Sequence, residues 1–276
     1  MDAPEQNLGD QAGAGEEPDG KEVSIDLTEL LREWTYESGH INVRVISGED
    51  GLPKIQMRVD LGVLQMEVSG RPDGLRPHGC ESLLEYHEMR LDGEPIDGDT
   101  FDDDAPEPSL SPEDCRVLRE EAVQYYHRYL ALLVLADYEG VVRDTSRNLR
   151  VIELCRDFAE TEEDQNVLDQ FRPYILMMRT RALASQMVAD DEAKAALFHI
   201  DEGLEELRQH FEESGMPEAI DMSSEVALLR GMRDELVKKL PASQKSELRE
   251  RLQKAIEQEN YELAAILRDE LKQISE

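Results

Sequence analysis

The spacing of apolar residues changes once along this chain, and the change restricts the fold to a small sheet followed by many helices. Apolar and polar residues alternate over residues 41–46, 55–60 and 63–68, which is the two-residue period of half-buried strands. From Ser111 onward the apolar residues recur at helical spacing instead. We therefore predict an α+β fold that is mainly α, with a small N-terminal antiparallel sheet, a helical bundle and a C-terminal helical hairpin.

The helical part opens on a strong start signal. Ser111 can accept a capping hydrogen bond, Pro112 suits the first turn, and the two acidic residues that follow favour the positive end of a helix. Pro173 is expected to bend one helix, and Tyr126 and Tyr129 are expected to fill the bundle core. The predicted helices cover residues 112–137, 141–159, 163–189, 192–213 and 218–239.

Changes in composition divide the chain into five segments. Residues 1–21 hold almost nothing to bury and are predicted to be a disordered acidic arm, with a partner-binding arm as the alternative. Residues 92–111 contain many acids and no base, and they lack the ligand spacing of a calcium loop, which favours an extended acidic linker. The other segments are a small α/β domain at 22–91, the helical bundle at 112–240 and the hairpin at 245–276.

Charge and cysteine content exclude several classes of function. The chain has 63 acidic and 30 basic residues, a formal net charge of −33, so DNA should repel it and we expect no direct nucleic-acid binding. Cys80, Cys115 and Cys155 form no CxxC pair, which disfavours a zinc finger or a disulfide framework. The longest apolar run, residues 129–136, is too short to span a bilayer. We therefore predict a cytoplasmic protein without a metal, a cofactor or membrane contact.

The C-terminal segment has the most specific pattern in the chain. Apolar residues between Leu248 and Ile256 share one face of a helix, and Asn260 can cap a second helix. Ala264 and Ala265 would let the two helices approach closely. A hairpin this short buries too little apolar surface to be stable alone, so its apolar stripe predicts a protein–protein contact. The residues assigned to this contact are Leu248, Leu252, Ala255, Ile256, Tyr261, Glu262, Ala264, Ala265, Leu267, Arg268, Asp269, Leu271 and Ile274.

The pairs Tyr261-Glu262 and Ala264-Ala265 and the run from Leu267 to Asp269 make this segment resemble the UVR motif. The UVR motif is the helical hairpin shared by the UvrB and UvrC excision-repair proteins and by several bacterial stress-response adaptors. The resemblance is confined to residues 245–276 and does not extend to the helicase or nuclease parts of the repair proteins. It implies a module that docks a homologous hairpin, on a partner or on a second copy, in an excision-repair or protein-quality-control complex.

The loop at residues 70–79 is a second candidate site. Arg71, Arg76 and His78 stand among glycines and could form an anion-binding concavity. However, the loop lacks the lysine and the strand–helix context of a phosphate-binding loop. Its Pro-Asp-Gly sequence is common in tight turns, so a structural turn is the favoured interpretation.

No catalytic arrangement accompanies these features. The helical histidines His127, His199 and His210 have no second histidine at helical spacing and no nucleophile close in sequence. We therefore predict a non-catalytic adaptor, not an enzyme, that binds a protein through its hairpin. The alternative is an acidic decoy that mimics nucleic acid and occupies a basic surface, which would bind with a steep salt dependence.

Overall fold

The protein is described by a computed structural model over residues 26–93, 109–239, 242–258 and 260–273. The predictions for residues 1–21, for most of the 92–111 segment and for Ile274 lie outside these ranges. The predicted α+β fold, mainly α, is confirmed. The helices and strands are α1 (Thr28–Glu33), β1 (Asn42–Ser47), β2 (Pro53–Val59), β3 (Gly62–Glu67), α2 (Leu83–Leu91), α3 (Pro112–Val134), α4 (Tyr138–Phe158), α5 (Glu162–Asn166), α6 (Arg172–Ala189), α7 (Ala193–Glu213), α8 (Ser224–Lys239), α9 (Ala242–Glu257) and α10 (Tyr261–Gln273).

The three strands form an antiparallel sheet in the order β1-β2-β3. On one face Arg44 Nε donates to Gln56 Oε1 at 2.8 Å, and Gln56 Nε2 donates to Gln65 Oε1 at 2.9 Å. These three residues lie opposite one another in register, so a ladder of polar side chains crosses the sheet. On the other face Ile55 and Met66 are buried in the common core, and β2 contacts α3 there.

The bundle is a chain of neighbouring helices in which α3 packs on α4, α4 on α6, α6 on α7 and α7 on α8. The predicted start at Ser111 is confirmed, because Ser111 and Asp114 form a reciprocal capping box. Pro173 does not bend a helix: α5 ends at Asn166 and a new helix carries Pro173 in its first turn. A proline is tolerated there because the first backbone N–H groups of a helix have no partner within it.

Buried polar groups join the N-terminal part of the chain to the bundle. Arg128 on α3 donates from Nη1 to the carbonyl oxygens of Glu67 at 3.1 Å and Gly70 at 2.7 Å. The carboxylate of Glu121, also on α3, accepts the backbone N–H of Leu83 at 2.8 Å, at the first turn of α2. These contacts satisfy backbone groups at the end of β3 and the start of α2, and they hold both elements on α3.

Within the described ranges, no helix combines the length and the apolar character that a membrane crossing requires.

Candidate functional site: the C-terminal helical hairpin

Helices α9 and α10 pack against each other as the predicted hairpin. The connection is closed by a hydrogen bond from the backbone N–H of Asn260 to the carbonyl oxygen of Ala255 at 2.9 Å. Asn260 Oδ1 accepts the backbone N–H of Leu263 at 3.2 Å, so Asn260 is the cap of α10 that the sequence suggested.

Four residues assigned to the partner contact lie inside the chain. Leu267 is fully buried, and Leu248, Ala255 and Ala264 are also buried in the common core. These side chains therefore stabilise the hairpin and offer no free surface in this conformation, and their assignment to a partner contact stays a prediction. Two further residues of the predicted stripe are partly buried against the same core, namely Leu252 and Leu271.

The hairpin is attached to the bundle by charged side chains. Arg233 on α8 forms an ion pair with Glu270 on α10, and both side chains are almost completely buried. Arg233 also contacts Asp201 on α7, with 2.5 Å between Nε and Oδ1 and 3.3 Å between Nη2 and Oδ2. One arginine thus connects α7, α8 and α10, and the hairpin presents a fixed side to the bundle.

The opposite side of the hairpin is open to solvent. Tyr261 is 69% exposed and Ile256 is 47% exposed, and they flank the turn between α9 and α10. Ala265 lies one helical turn beyond Tyr261 and is also exposed. The structure therefore leaves three of the predicted contact residues exposed on the helical turns next to the connection. The charged members of the predicted set are exposed on the same helix, namely Glu262, Arg268 and Asp269.

Two further residues of the hairpin, Ile266 and Glu270, have surroundings that the sequence pattern did not predict. Ile266 is 43% exposed, and it lines a cleft of about 670 Å³ between the hairpin and the bundle. In the sequence, Ile266 could be recognised only as an apolar residue that lies outside the apolar face formed by Ala264, Leu267 and Leu271. Glu270 lies beside Leu271 on the buried side, and an acid at a core-facing position is a signal for a buried ion pair.

The loop at residues 70–79 places its three predicted side chains in different surroundings. Arg71 lies between two carboxylates, with Nε 3.3 Å from Glu121 Oε2 and Nη2 3.2 Å from Asp73 Oδ2. The ring of His78 stacks on Tyr86 with 4.0 Å between centroids, and Arg76 is exposed. The charge of Arg71 is therefore already matched within the chain, and anion binding at this loop stays a prediction.

The bundle contains two buried thiols. Cys115 and Cys155 are both free and buried. Burial raises the pKa of Cys155 to about 12, so its thiol stays protonated and unreactive at neutral pH. In the described part of the chain no group of three or more His, Cys, Asp or Glu side chains is arranged to hold a metal ion.

Comparison with known proteins agrees with the hairpin geometry. Residues 242–276 match the family model described as the UvrB/uvrC motif, which confirms the resemblance seen in the sequence. Comparisons of the chain with curated proteins and with solved structures found no match. The C-terminal hairpin of this chain therefore carries a UvrB/uvrC motif.

Proposed function

We propose that this chain is a non-catalytic cytoplasmic adaptor whose UVR hairpin binds a second hairpin of the same kind, on a partner protein or on another copy. The observation that carries this proposal is the division of the hairpin into two sides. One side is fixed to the bundle through Glu270, and the other exposes Ile256, Tyr261 and Ala265 beside the turn.

Clustering distinguishes these side chains from ordinary surface residues. Single exposed apolar residues are common and need no explanation. Here two large apolar side chains, Ile256 and Tyr261, flank one tight turn, and the small Ala265 beside Tyr261 leaves room for a partner to approach. A tyrosine at such a position supplies apolar contact area together with a hydroxyl that can stay hydrated or bonded.

The expected affinity follows from the area of this surface. Burial of apolar area is worth about 25 cal/mol per Å², so a few hundred Å² contributes several kcal/mol before the costs of association. That balance favours weak or transient binding unless a second contact adds to it. Because the contact is mainly apolar, we expect its affinity to change little with salt.

The test is retention of a binding partner by the full-length chain and by its variants. Two differently tagged copies of the full-length chain are mixed to measure self-association, and each is also incubated with native cell extract. Tyr261→Asp and Ala265→Glu place a charge on the exposed side of the hairpin, so we expect both to abolish binding at low and high salt.

A matched control places the same charge elsewhere. Met222 is 90% exposed and lies outside the hairpin, so Met222→Asp should retain the binding of the unmodified chain. Circular dichroism of each variant confirms that the bundle remains folded. If Tyr261→Asp binds as well as Met222→Asp does, the hairpin is not the contact and the proposal is wrong.

The same experiment separates the adaptor from the acidic decoy. A chain that ends at Leu240 lacks the hairpin and keeps the acidic segments of the sequence. If that truncated chain still captures a protein and high salt removes it, the acidic segments carry the binding. The adaptor predicts the reverse: binding is lost on truncation and survives high salt.

A further inference from the structure

An apolar cleft of about 480 Å³ lies in the bundle, away from the hairpin. Helices α3, α4 and α6 and the segment between α5 and α6 form its walls. Val123 and Phe171 lie at the cleft and are each 52% exposed, and Tyr126 is 37% exposed, contrary to its predicted place in the core. Concave, mainly apolar sites of this volume are typical of small-molecule binding.

Three tyrosines give the cleft its polar groups. The ring of Tyr126 lies edge-on to Tyr129 with 5.5 Å between centroids, and it is 6.3 Å from the ring of Tyr174. Tyr129 lines the cleft and is only 1% exposed, and no residue of the described ranges accepts a hydrogen bond from its hydroxyl. A buried tyrosine hydroxyl usually has a partner. The hydroxyl of Tyr129 is therefore available to donate to an acceptor atom of a ligand that enters the cleft.

The hydroxyl of Tyr129 is suited to donate a hydrogen bond. Burial raises the pKa of Tyr129, and the neighbouring hydroxyls of Tyr174 and Tyr126 raise it further. The proton consequently stays on the oxygen at any physiological pH, and a ligand carbonyl or ether oxygen would meet a donor and not an anion.

The remaining polar groups of the cleft are already used within the chain. Arg119 Nη1 lies 2.6 Å from Asp164 Oδ1, so its charge is matched. Asn148 donates from Nδ2 to the carbonyl oxygen of Ala122 at 2.9 Å and accepts at Oδ1 from Arg147 Nη1 at 3.1 Å. A ligand anion would compete with Asp164 for Arg119, and a ligand cation would find no carboxylate among the lining residues.

From this geometry we propose that the cleft between α3, α4 and α6 binds an uncharged, mainly apolar ring compound that places one acceptor oxygen on the hydroxyl of Tyr129. The rings of Tyr126, Tyr174 and Phe171 contact the apolar body of the ligand. The site is separate from the hairpin, so it can be occupied whether or not a protein partner is bound.

Prodan tests the proposal, because it is an uncharged naphthalene derivative with one carbonyl oxygen and its fluorescence shifts in an apolar site. We expect the full-length protein to bind prodan saturably in the micromolar range, with a blue shift of emission. Anilinonaphthalene sulfonate, an anionic probe with similar rings, should bind far more weakly.

Three variants test where the probe binds and what its oxygen contacts. Val123→Trp fills the mouth of the cleft and should abolish saturable binding. Val134→Trp adds the same ring to an exposed position of α3 outside the cleft lining and should leave binding unchanged. Tyr129→Phe removes only the hydroxyl and should weaken prodan about fivefold, the effect of one neutral hydrogen bond. N-phenylnaphthylamine has no acceptor oxygen, and Tyr129→Phe should not change its affinity.

The outcomes that overturn the proposal are equally specific. Absence of saturable prodan binding by the folded protein shows that the cleft takes no such ligand. Equal binding by Val123→Trp and Val134→Trp places the probe elsewhere. If Tyr129→Phe weakens both uncharged probes equally, the hydroxyl is not the recognition group. Loss of the hairpin contact affects none of these measurements.

Discussion

Arg128 and Asp144 form a two-point ion pair in the interior of the protein. Arg128 Nε lies 2.7 Å from Asp144 Oδ2, and Arg128 Nη2 lies 2.8 Å from Asp144 Oδ1. Both side chains are almost fully buried, and the third nitrogen of the guanidinium donates to carbonyl oxygens at Glu67 and Gly70. The carboxylate thus orients the group that holds the end of β3 on the bundle.

Substitution of one member of this pair should lower the stability of the folded protein. Asp144→Asn keeps the shape but leaves the charge of Arg128 buried with weaker compensation, so we expect a loss of about 3 kcal/mol in the free energy of unfolding. Asp157 is on the same helix and pairs with Arg156 at the surface, so Asp157→Asn should change stability by less than about 0.5 kcal/mol. Urea unfolding of both variants measures the difference, and equal values contradict the argument.

Gly203 allows α6 and α7 to approach closely. A Cβ atom at Gly203 would lie 2.1 Å from Thr180 Oγ1, a distance that requires one helix to shift. We expect Gly203→Ala to destabilise the protein by about 1–3 kcal/mol through overpacking. At Gly231 on α8 a Cβ atom would meet nothing within 4 Å, so Gly231→Ala should stabilise by about 0.5–1 kcal/mol. The melting temperature should fall for Gly203→Ala and rise for Gly231→Ala. If both variants are stabilised, α6 and α7 can move apart to accommodate the added methyl group, and the argument for close packing is wrong.

His87 should make stability depend on pH. Burial, followed by the charge of Arg90, lowers the pKa of His87 from 6.5 to about 4, against the opposing effect of Asp114. Between these values the unfolded chain binds a proton that the folded chain does not, so stability is lost as pH falls from about 6.5 towards 4. His87→Phe removes this titration, and its free energy of unfolding should fall less than that of the unmodified protein between pH 7 and pH 5. Urea unfolding at each pH measures these free energies. If they change with pH equally in the variant and the unmodified protein, His87 is not the group responsible.

Glu270 should control how firmly the hairpin is attached to the bundle. Glu270→Gln removes the carboxylate that faces Arg233, so local opening of α9 and α10 should become more frequent. We expect amide hydrogens of the hairpin to exchange about tenfold or more faster, while those of α3 and α4 keep their rates. Glu262→Gln makes the same change on the exposed side of α10 and should have no such effect. Unchanged hairpin exchange in Glu270→Gln would mean that apolar contacts alone hold it.

The sheet shows what alternation of residues can and cannot establish. The predicted strands at 41–46, 55–60 and 63–68 agree with β1, β2 and β3 to within a few residues. Alternation also separates the two faces of β2, but it implies that the polar face is exposed, whereas Gln56 and Arg58 are buried. That burial involves groups distant in sequence: Arg58 Nε, for example, donates to the backbone carbonyl oxygen of Trp34 at 2.7 Å.

The hairpin shows the corresponding limit for helices. Helical spacing identified the apolar stripe, and the resemblance identified the motif, but neither distinguishes a face that packs internally from one that meets a partner. Leu267 and Tyr261 were assigned to the same contact, yet Leu267 is fully buried and Tyr261 is mostly exposed. The difference depends on which sides of α10 are covered by α9 and α8, and the sequence of α10 alone contains no information about the positions of these neighbours.

The contacts made by Arg128 also set an order of events during synthesis. The carbonyl oxygens at Glu67 and Gly70 are separated from Arg128 by 61 and 58 positions. The ribosome therefore releases the sheet well before the helix that covers it, and the apolar side chains of Ile55 and Met66 remain open to water in the nascent chain. We expect chaperones to recognise this apolar surface during that interval, which ends once α3 has left the ribosome and packs on the sheet.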